Sequence, residues 1–356
     1  MKRYQQQSPV VDWPYICEAE VVPGLEALAA QELADKLRKV TRLLPENEQN
    51  PGAIRFRYRG ELTRLEDLRL VQAVYVVLHF NIPRPKALLG NREFRVVTDT
   101  INNIRSINKD QKFRTIHISA AGDDSSVMQR LINELQTATT LKYDKDKGDV
   151  WLRIKRDSQK QGWEVLIRIS NRPVTTRDWR VCNYEGALNA TVAHAMTLLS
   201  QPTHSDTVVN LASGSGTLLI ERALWGSAAH LIGVENDPDA LGCAKINIAA
   251  AGIESQLIEA NIKKLPLKDQ VANVLLADLP FGQLSGSHQE NVILYPATLA
   301  EAARIATPEA RFVMLTHEIR LMDALLANNK TWTLEQQVRI TLRGLHPRIY
   351  VLRKVT

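Results

Sequence analysis

The sequence predicts an α/β protein whose C-terminal half is a doubly wound parallel sheet preceded by smaller α+β units. Three observations predict this class. From residue 205 onward, five short apolar segments (TVVNLAS, HLIGVEN, SQLIEAN, VANVLLADLP and ARFVMLT) occur in series. Helix-compatible stretches of ten or more residues separate most of them, with only a polar turn between the third and fourth. Strands that are apolar on both faces and alternate with helices belong in a parallel sheet covered on both sides. Two last strands, WTLEQQVRITL and RIYVLRKV, are joined by a few residues and must pair antiparallel, because a parallel crossover needs a dozen or more. Finally, 356 residues is room for two or three cores.

The elements before residue 205 follow in order. Residues 1–14 read as a polar arm. Residues 15–85 read as a small α+β unit: a strand and a PG turn in EAEVVPG, then a helix with Leu25, Leu28, Ala29, Leu33 and Leu37 at helical spacing, then strands at AIRFRYRG and VQAVYVVLHFNI, up to an NIPRP linker. A second unit spans 92–172, with strands FRVVTDT and TIHISA, the helix SSVMQRLINELQTATTL, and alternating strands DVWLRIKRD and WEVLIRIS across a polar turn. Neither unit carries a catalytic constellation. The third runs over 181–356.

Composition excludes several classes. No apolar run approaches the ~20 residues that span a bilayer, and the first residues lack the uninterrupted apolar segment of a secretion signal, so a cytoplasmic location and no membrane partner are expected. Cys17, Cys182 and Cys243 are odd in number and far apart, which predicts neither a disulfide framework nor a CxxC site. The histidines are scattered, so no metal is expected. Charge is uneven: residues 1–180 hold 31 Lys and Arg against 23 Asp and Glu, whereas the remainder holds 14 against 16. A basic half joined to a neutral one fits a polyanion-binding module, although such asymmetry is also an ordinary solvated surface.

Ligands of open α/β sheets bind outside the carboxyl ends of the strands. After the first of these strands stands Ser213-Gly214-Ser215-Gly216-Thr217, a loop that frees backbone N–H groups at a helix start, or a plain strand-to-helix turn. Glu235 ends the second strand, where a carboxylate can accept ribose hydroxyls, or merely neighbour a helix cap. Asn261 ends the third and can meet a base edge. Asp278, Leu279, Pro280 and Phe281 end the fourth. The order matters more than any member: it lays a nucleoside across the strand tips. With no lysine or arginine waiting for a pyrophosphate, S-adenosylmethionine is expected rather than NAD or ATP.

On these residues the chain resembles the class I methyltransferases, and among them the THUMP-domain RNA guanine-N2 methyltransferases. YICEAEVVPGLEALAAQEL resembles that family's N-terminal ferredoxin-like segment and residues 92–172 its THUMP domain. TTRDWRVCNYEGALNATVAHAM resembles the junction to its catalytic domain, DLPFGQLSGS with LYP its catalytic loop, and GLHPRIYVLRK its terminal hairpin. The resemblance implies a Rossmann-like methyltransferase sheet of seven strands, the last antiparallel. It also implies cofactor contacts at Asn189, Thr191, Asn210, Ser213, Gly214, Ser215, Gly216, Thr217, Glu235, Asn236, Asn261, Ile262 and Asp278. The family usually has acids where this chain has Asn210 and Asn261, which removes negative charge around a cationic cofactor.

The chemistry of the fourth loop follows from its residues. An exocyclic amine is a poor nucleophile because its lone pair is delocalised into the base. Asp278 and the Leu279 carbonyl can hold its hydrogens, Pro280 fixes the turn, and Phe281 offers a stacking face worth ~1–3 kcal/mol per base. Guanine presents two adjacent donors that suit a carboxylate, so Asp278 leans towards guanine N2. RNA delivery falls to Arg153, Lys155, Arg156, Arg168, Arg172, Arg177 and Arg180, each of which is otherwise a solvated strand face. The expected function is methyl transfer to guanine N2 in structured RNA, tRNA foremost, by a monomer. The alternatives are ribosomal RNA guanine-N2 or DNA adenine-N6 methylation, or a non-catalytic RNA-binding protein with a decayed cofactor pocket.

Overall fold

A computed structural model describes residues 13–45, 51–122, 124–157, 161–281 and 287–355. Most of the expected arm and residues 282–286 of the catalytic loop lie outside these. The chain divides into two compact units, Met1–Glu20 with Ala29–Val174, and Val21–Leu28 with Thr175–Thr356. Among the described residues no helix is long and apolar enough to cross a membrane.

The first unit contains most of β1 (Tyr15–Val21) and of α1 (Glu26–Leu37), with β2 (Thr41–Leu43), β3 (Ala53–Tyr58), β4 (Val71–Phe80), α2 (Asn91–Ile107), β5 (Thr115–Ala120), α3 (Ser126–Thr139), β6 (Lys142–Tyr143), β7 (Val150–Arg156) and β8 (Trp163–Arg168). One sheet holds all eight strands in the order β2-β3-β1-β4-β8-β7-β5-β6. The two α+β segments expected from the sequence therefore join, through antiparallel pairing of β4 with β8 from Tyr75↔Arg168 to Phe80↔Trp163. One large apolar cluster runs from Cys17 and Leu33 to Leu135 and Ile167.

One expected strand is a helix. FRVVTDT reads as β because of its branched residues, yet it lies in α2, where Val97, Thr98, Ile101 and Ile104 are buried at helical spacing. Burial of that stripe outweighs the modest intrinsic preference of valine and threonine for strands.

The second unit begins its regular structure with α4 (Ala190–Leu199). β9 (Thr207–Leu211), α5 (Thr217–Trp225), β10 (His230–Glu235), α6 (Pro238–Ala251), β11 (Gln256–Glu259), β12 (Ala272–Asp278), α7 (His288–Ile305), β13 (Ala306–Thr316), α8 (Ile319–Ala327), β14 (Trp332–Arg339) and β15 (Arg348–Lys354) follow. Its seven strands are ordered β11-β10-β9-β12-β13-β15-β14. The first five are parallel, and β15 inserts antiparallel between β13 and β14. The core strands are buried on both faces, as Val208, Val209, Leu275, Leu276, Phe312 and Val313 show.

Two polar features hold this unit. Asp206, fully buried, accepts from Thr203 N–H and Oγ1 (both 2.8 Å), Arg222 (3.0 Å), Asn273 (3.2 Å) and Arg311 (2.7 Å). At the far end of the chain, Thr341 N–H donates to Pro23 O at 2.9 Å. Beside it Gly24 adopts φ +100°, and Arg339 O lies 1.9 Å from where a Cβ would stand, so only glycine fits.

The cysteine expectation is corrected. Cys182 and Cys243 are disulfide-bonded with Cα atoms 5.5 Å apart, and Cys17 alone is free and buried. Sequence separation hid the pair because α6 carries Cys243 back against the junction segment.

Candidate active site

Register places the predicted loops together. Leu211 of β9 pairs with Val234 of β10 on one side and Ala277 of β12 on the other. Neighbouring strands lie ~4.8 Å apart, so the segments after these residues leave the sheet from one edge. In the first loop Ala212, Gly214 and Gly216 all have positive φ (52°, 52° and 85°). A non-glycine residue in that region stores on the order of 1 kcal/mol of strain. The Gly214 site has open space where a Cβ would project.

Glu235, expected to take ribose hydroxyls, also shapes this loop. Its Oε2 accepts from Gly214 N–H (2.7 Å) and its Oε1 from Asn236 and Asp237 N–H (2.9 and 3.0 Å). A carboxylate offers about four acceptor positions, so one on Oε2 is left. Asn210 is fully buried, and neither its Oδ1 nor its Nδ2 has a hydrogen-bond partner among the described residues; Ser213 Oγ is in the same condition. Asn261 is exposed and its Oδ1 accepts from Lys263 N–H (2.9 Å), while Ile262 packs on the core.

The junction is tied to the same edge. Asn189 caps α4, its Oδ1 accepting from Thr191 and Val192 N–H, and Thr191 Oγ1 bonds Thr175 Oγ1 (3.1 Å). Asn247 of α6 holds both the N–H and the carbonyl of Cys182 and reaches Ser215 O at 3.2 Å. Tyr184 Oη donates to Asp237 Oδ2 at 2.6 Å. Sequence reasoning gave Asn247 and Tyr184 no part, because nothing local marks either one.

At the exit of β12, Asp278 keeps part of its surface at the rim, but its Oδ1 is enclosed without a hydrogen-bond partner among the described residues. That burial pushes its carboxyl pKa up to about 7. Leu279 N–H donates to Leu315 O (3.0 Å), and Phe281 lies with its ring centroid 6.1 Å from that of His317. A carboxylate poised near neutrality beside a half-exposed aromatic ring can accept hydrogens from a flat polar ligand.

The basic residues do not gather into one free patch. Arg168 is buried and donates to the carbonyls of Ser170, Gly148 and Asn171, so it is withdrawn from RNA contact. Arg177, also buried, pairs with Glu221 (3.0 Å) and is withdrawn likewise. Arg153 pairs with Glu20 over the Tyr75 ring, Lys155 pairs with Glu18, and Arg180 donates to Leu188 O and Thr217 Oγ1. Arg156 and Arg172 are exposed. A groove in the first unit lined by Tyr15, Arg59, Arg64 and Lys109 was missed, because its members are scattered in sequence. His79, Asp157 and Glu164 bring ligand-type atoms together, but both Glu164 oxygens are already held by Arg55 (2.8 and 2.7 Å).

Residues 177–348 match the family described as "UPF0020: RMKL-like, methyltransferase domain". That stretch of the chain is similar to this methyltransferase-domain family. The tRNA (guanine(6)-N(2))-methyltransferase THUMP3 of Homo sapiens is 33% identical over 181 residues, 46% of this chain and 36% of that protein. This chain thus spans about a third of the length of that relative. The tRNA (guanine(6)-N2)-methyltransferase of Methanocaldococcus jannaschii is 22% identical over 93% of this chain and 97% of its own. The crystal structure of TrmN from Thermus thermophilus superposes with a TM-score of 0.73 at 20% identity, covering 96% of this chain and 99% of the other, which fixes the fold.

The methyltransferase fold implies S-adenosylmethionine, and the residues present fit it. The unpartnered Asn210 amide and Ser213 hydroxyl, the open space at Gly214 and the remaining acceptor on Glu235 form a polar cradle of nucleoside character.

Proposed function

We propose that this chain transfers a methyl group from S-adenosylmethionine to the exocyclic N2 amine of a guanine in structured RNA, with tRNA the first substrate. The observation that carries the reading is Asp278, an enclosed carboxylate beside Phe281 at the same sheet edge as the glycine loop. The names of the human and archaeal relatives support guanine 6 of tRNA as the first position to examine. When bound, S-adenosylmethionine supplies an activated methyl group. Ser213, Gly214, Glu235 and Asn210 would hold it. Asp278 and the Leu279 carbonyl accept the amine hydrogens and localise its lone pair, and Phe281 stacks on the extruded base. Aligning nucleophile and methyl group supplies roughly 7–11 kcal/mol of the barrier.

RNA docking falls to exposed basic residues, Arg156 and Arg172 with Arg59, Arg64 and Lys109 of the first-unit groove. The unsatisfied Asn210 amide favours a working pocket over a decayed one, because an unpartnered buried amide is costly unless a ligand or water completes it. The test is methylation of unmodified tRNA followed by nucleoside digestion. N2-methylguanosine is expected, and N6-methyladenine as the product would remove the guanine assignment. Asp278→Ala should abolish turnover with cofactor affinity little changed.

A further inference from the structure

Among the described residues, the turn bearing Asp278 and Phe281 has little hydrogen bonding of its own. Leu279 N–H is committed to Leu315 O, and Pro280 has no N–H. The plane of the Pro280–Phe281 peptide is instead held through the Pro280 carbonyl, where two side chains of α7 converge: Tyr295 Oη at 2.8 Å and Asn291 Nδ2 at 3.1 Å. Four residues apart, they lie on one helix face and are fully buried, whereas the intervening Val292 and Ile293 are exposed. Burying a phenol and an amide is costly unless their polar atoms are paired. The carbonyl is the partner that Tyr295 Oη and Asn291 Nδ2 share, while Asn291 Oδ1 is left without a hydrogen-bond partner among the described residues.

Proton accounting gives the network a direction. A carbonyl only accepts, so the single hydroxyl proton of Tyr295 goes to Pro280. Thr316 Oγ1, 2.6 Å from Tyr295 Oη, must then donate to it, and itself accepts Glu318 N–H at 2.9 Å. The result is a one-way relay from Glu318 through Thr316 and Tyr295 to the turn, in which each bond polarises the next. Asn291 Nδ2 also reaches Glu318 Oε1 (3.3 Å), and Glu318 Oε2 lies 2.9 Å from His288 Nδ1.

We infer that Tyr295 and Asn291 are positioning residues for methyl transfer: they set the Pro280–Phe281 peptide plane, and with it the aim of the Leu279 carbonyl and the tilt of the Phe281 ring. This rests on the proposed reading of the turn as the grip on the base.

The chain contains a single Pro-Phe pair, so proline labelled at its 13C carbonyl together with 15N-phenylalanine reports one peptide by NMR. Tyr295→Phe and Asn291→Ala should each move that carbonyl resonance upfield. Thr316→Val, which leaves the Tyr295–Pro280 bond in place, should move it less. In single-turnover methylation both variants should slow the step by roughly 10-fold to 100-fold, as ångström-scale misplacement does, with RNA and cofactor affinities within about two-fold of the parent. The double variant should lose more than the product of the two, since each single variant keeps one donor that still restrains the carbonyl in part. An unmoved resonance, or parental rates in both variants, overturns the inference. Asp278→Ala separates the two levels. If it too runs at full rate, the reading of the turn fails; if it is inactive while Tyr295→Phe and Asn291→Ala run normally, only the positioning role fails. Should Tyr295→Phe not fold, Asn291→Ala and Thr316→Val carry the same measurements.

Discussion

Asp278 shows how one residue's surroundings set both chemistry and stability. Its folded pKa of about 7 stands above the ordinary carboxyl value. Between about pH 4 and 7 the folded chain therefore holds a proton that the unfolded chain has lost, and stability falls as pH rises through that window. Asp278→Asn should raise the melting temperature at pH 8 and leave it nearly unchanged at pH 4. On the proposed reading the ionised form accepts the amine hydrogens, so kcat/KM should climb through about pH 7 to a plateau. A profile that descends there would contradict the role. Asp206 is the opposite case, with every acceptor position used. Asp206→Ala leaves the fully buried Arg222 short of its carboxylate, and urea unfolding should report a loss of about 3–5 kcal/mol.

At the scale of elements, the junction segment and α6 are joined by Cys182–Cys243 and by Asn247. Cys243→Ser should lower unfolding free energy by roughly 2–4 kcal/mol under non-reducing conditions, and by little when the parent is reduced. The N-terminus of α7, which carries Asn291 and Tyr295, is closed by a capping box between Ser287 and Glu290. Much of this was legible in sequence. The five parallel strands follow from apolar runs, the hairpin from its short link, and the glycine loop, Glu235 and Asp278 from their order at strand ends. Illegible were α2, whose branched residues imitate a strand, and the disulfide, whose halves meet only through tertiary packing. The Tyr295–Asn291 convergence was also hidden, because a polar pair four residues apart on a helix gives no sign of the carbonyl it faces. The arginines misled for a related reason: periodicity says which face a residue occupies, not whether an acid or a carbonyl waits there.

For the whole molecule, the basic surplus of the first 180 residues has a measurable consequence. Affinity for tRNA should fall log-linearly with salt, and each charge removed from Arg59, Arg64 or Lys109 should reduce that slope by about one if it meets a phosphate. A slope unchanged in all three variants would place the docking surface elsewhere.

Val21–Leu28 group with the second unit, and Pro23 O is met by Thr341 N–H beside a Gly24 that tolerates no side chain. During synthesis this early octapeptide leaves the ribosome long before the segment that receives it. The domain that holds Asp278 cannot complete itself until the stretch around Thr341 has been made, and a gene dissected at residue 175 would yield a second half lacking one of its own pieces.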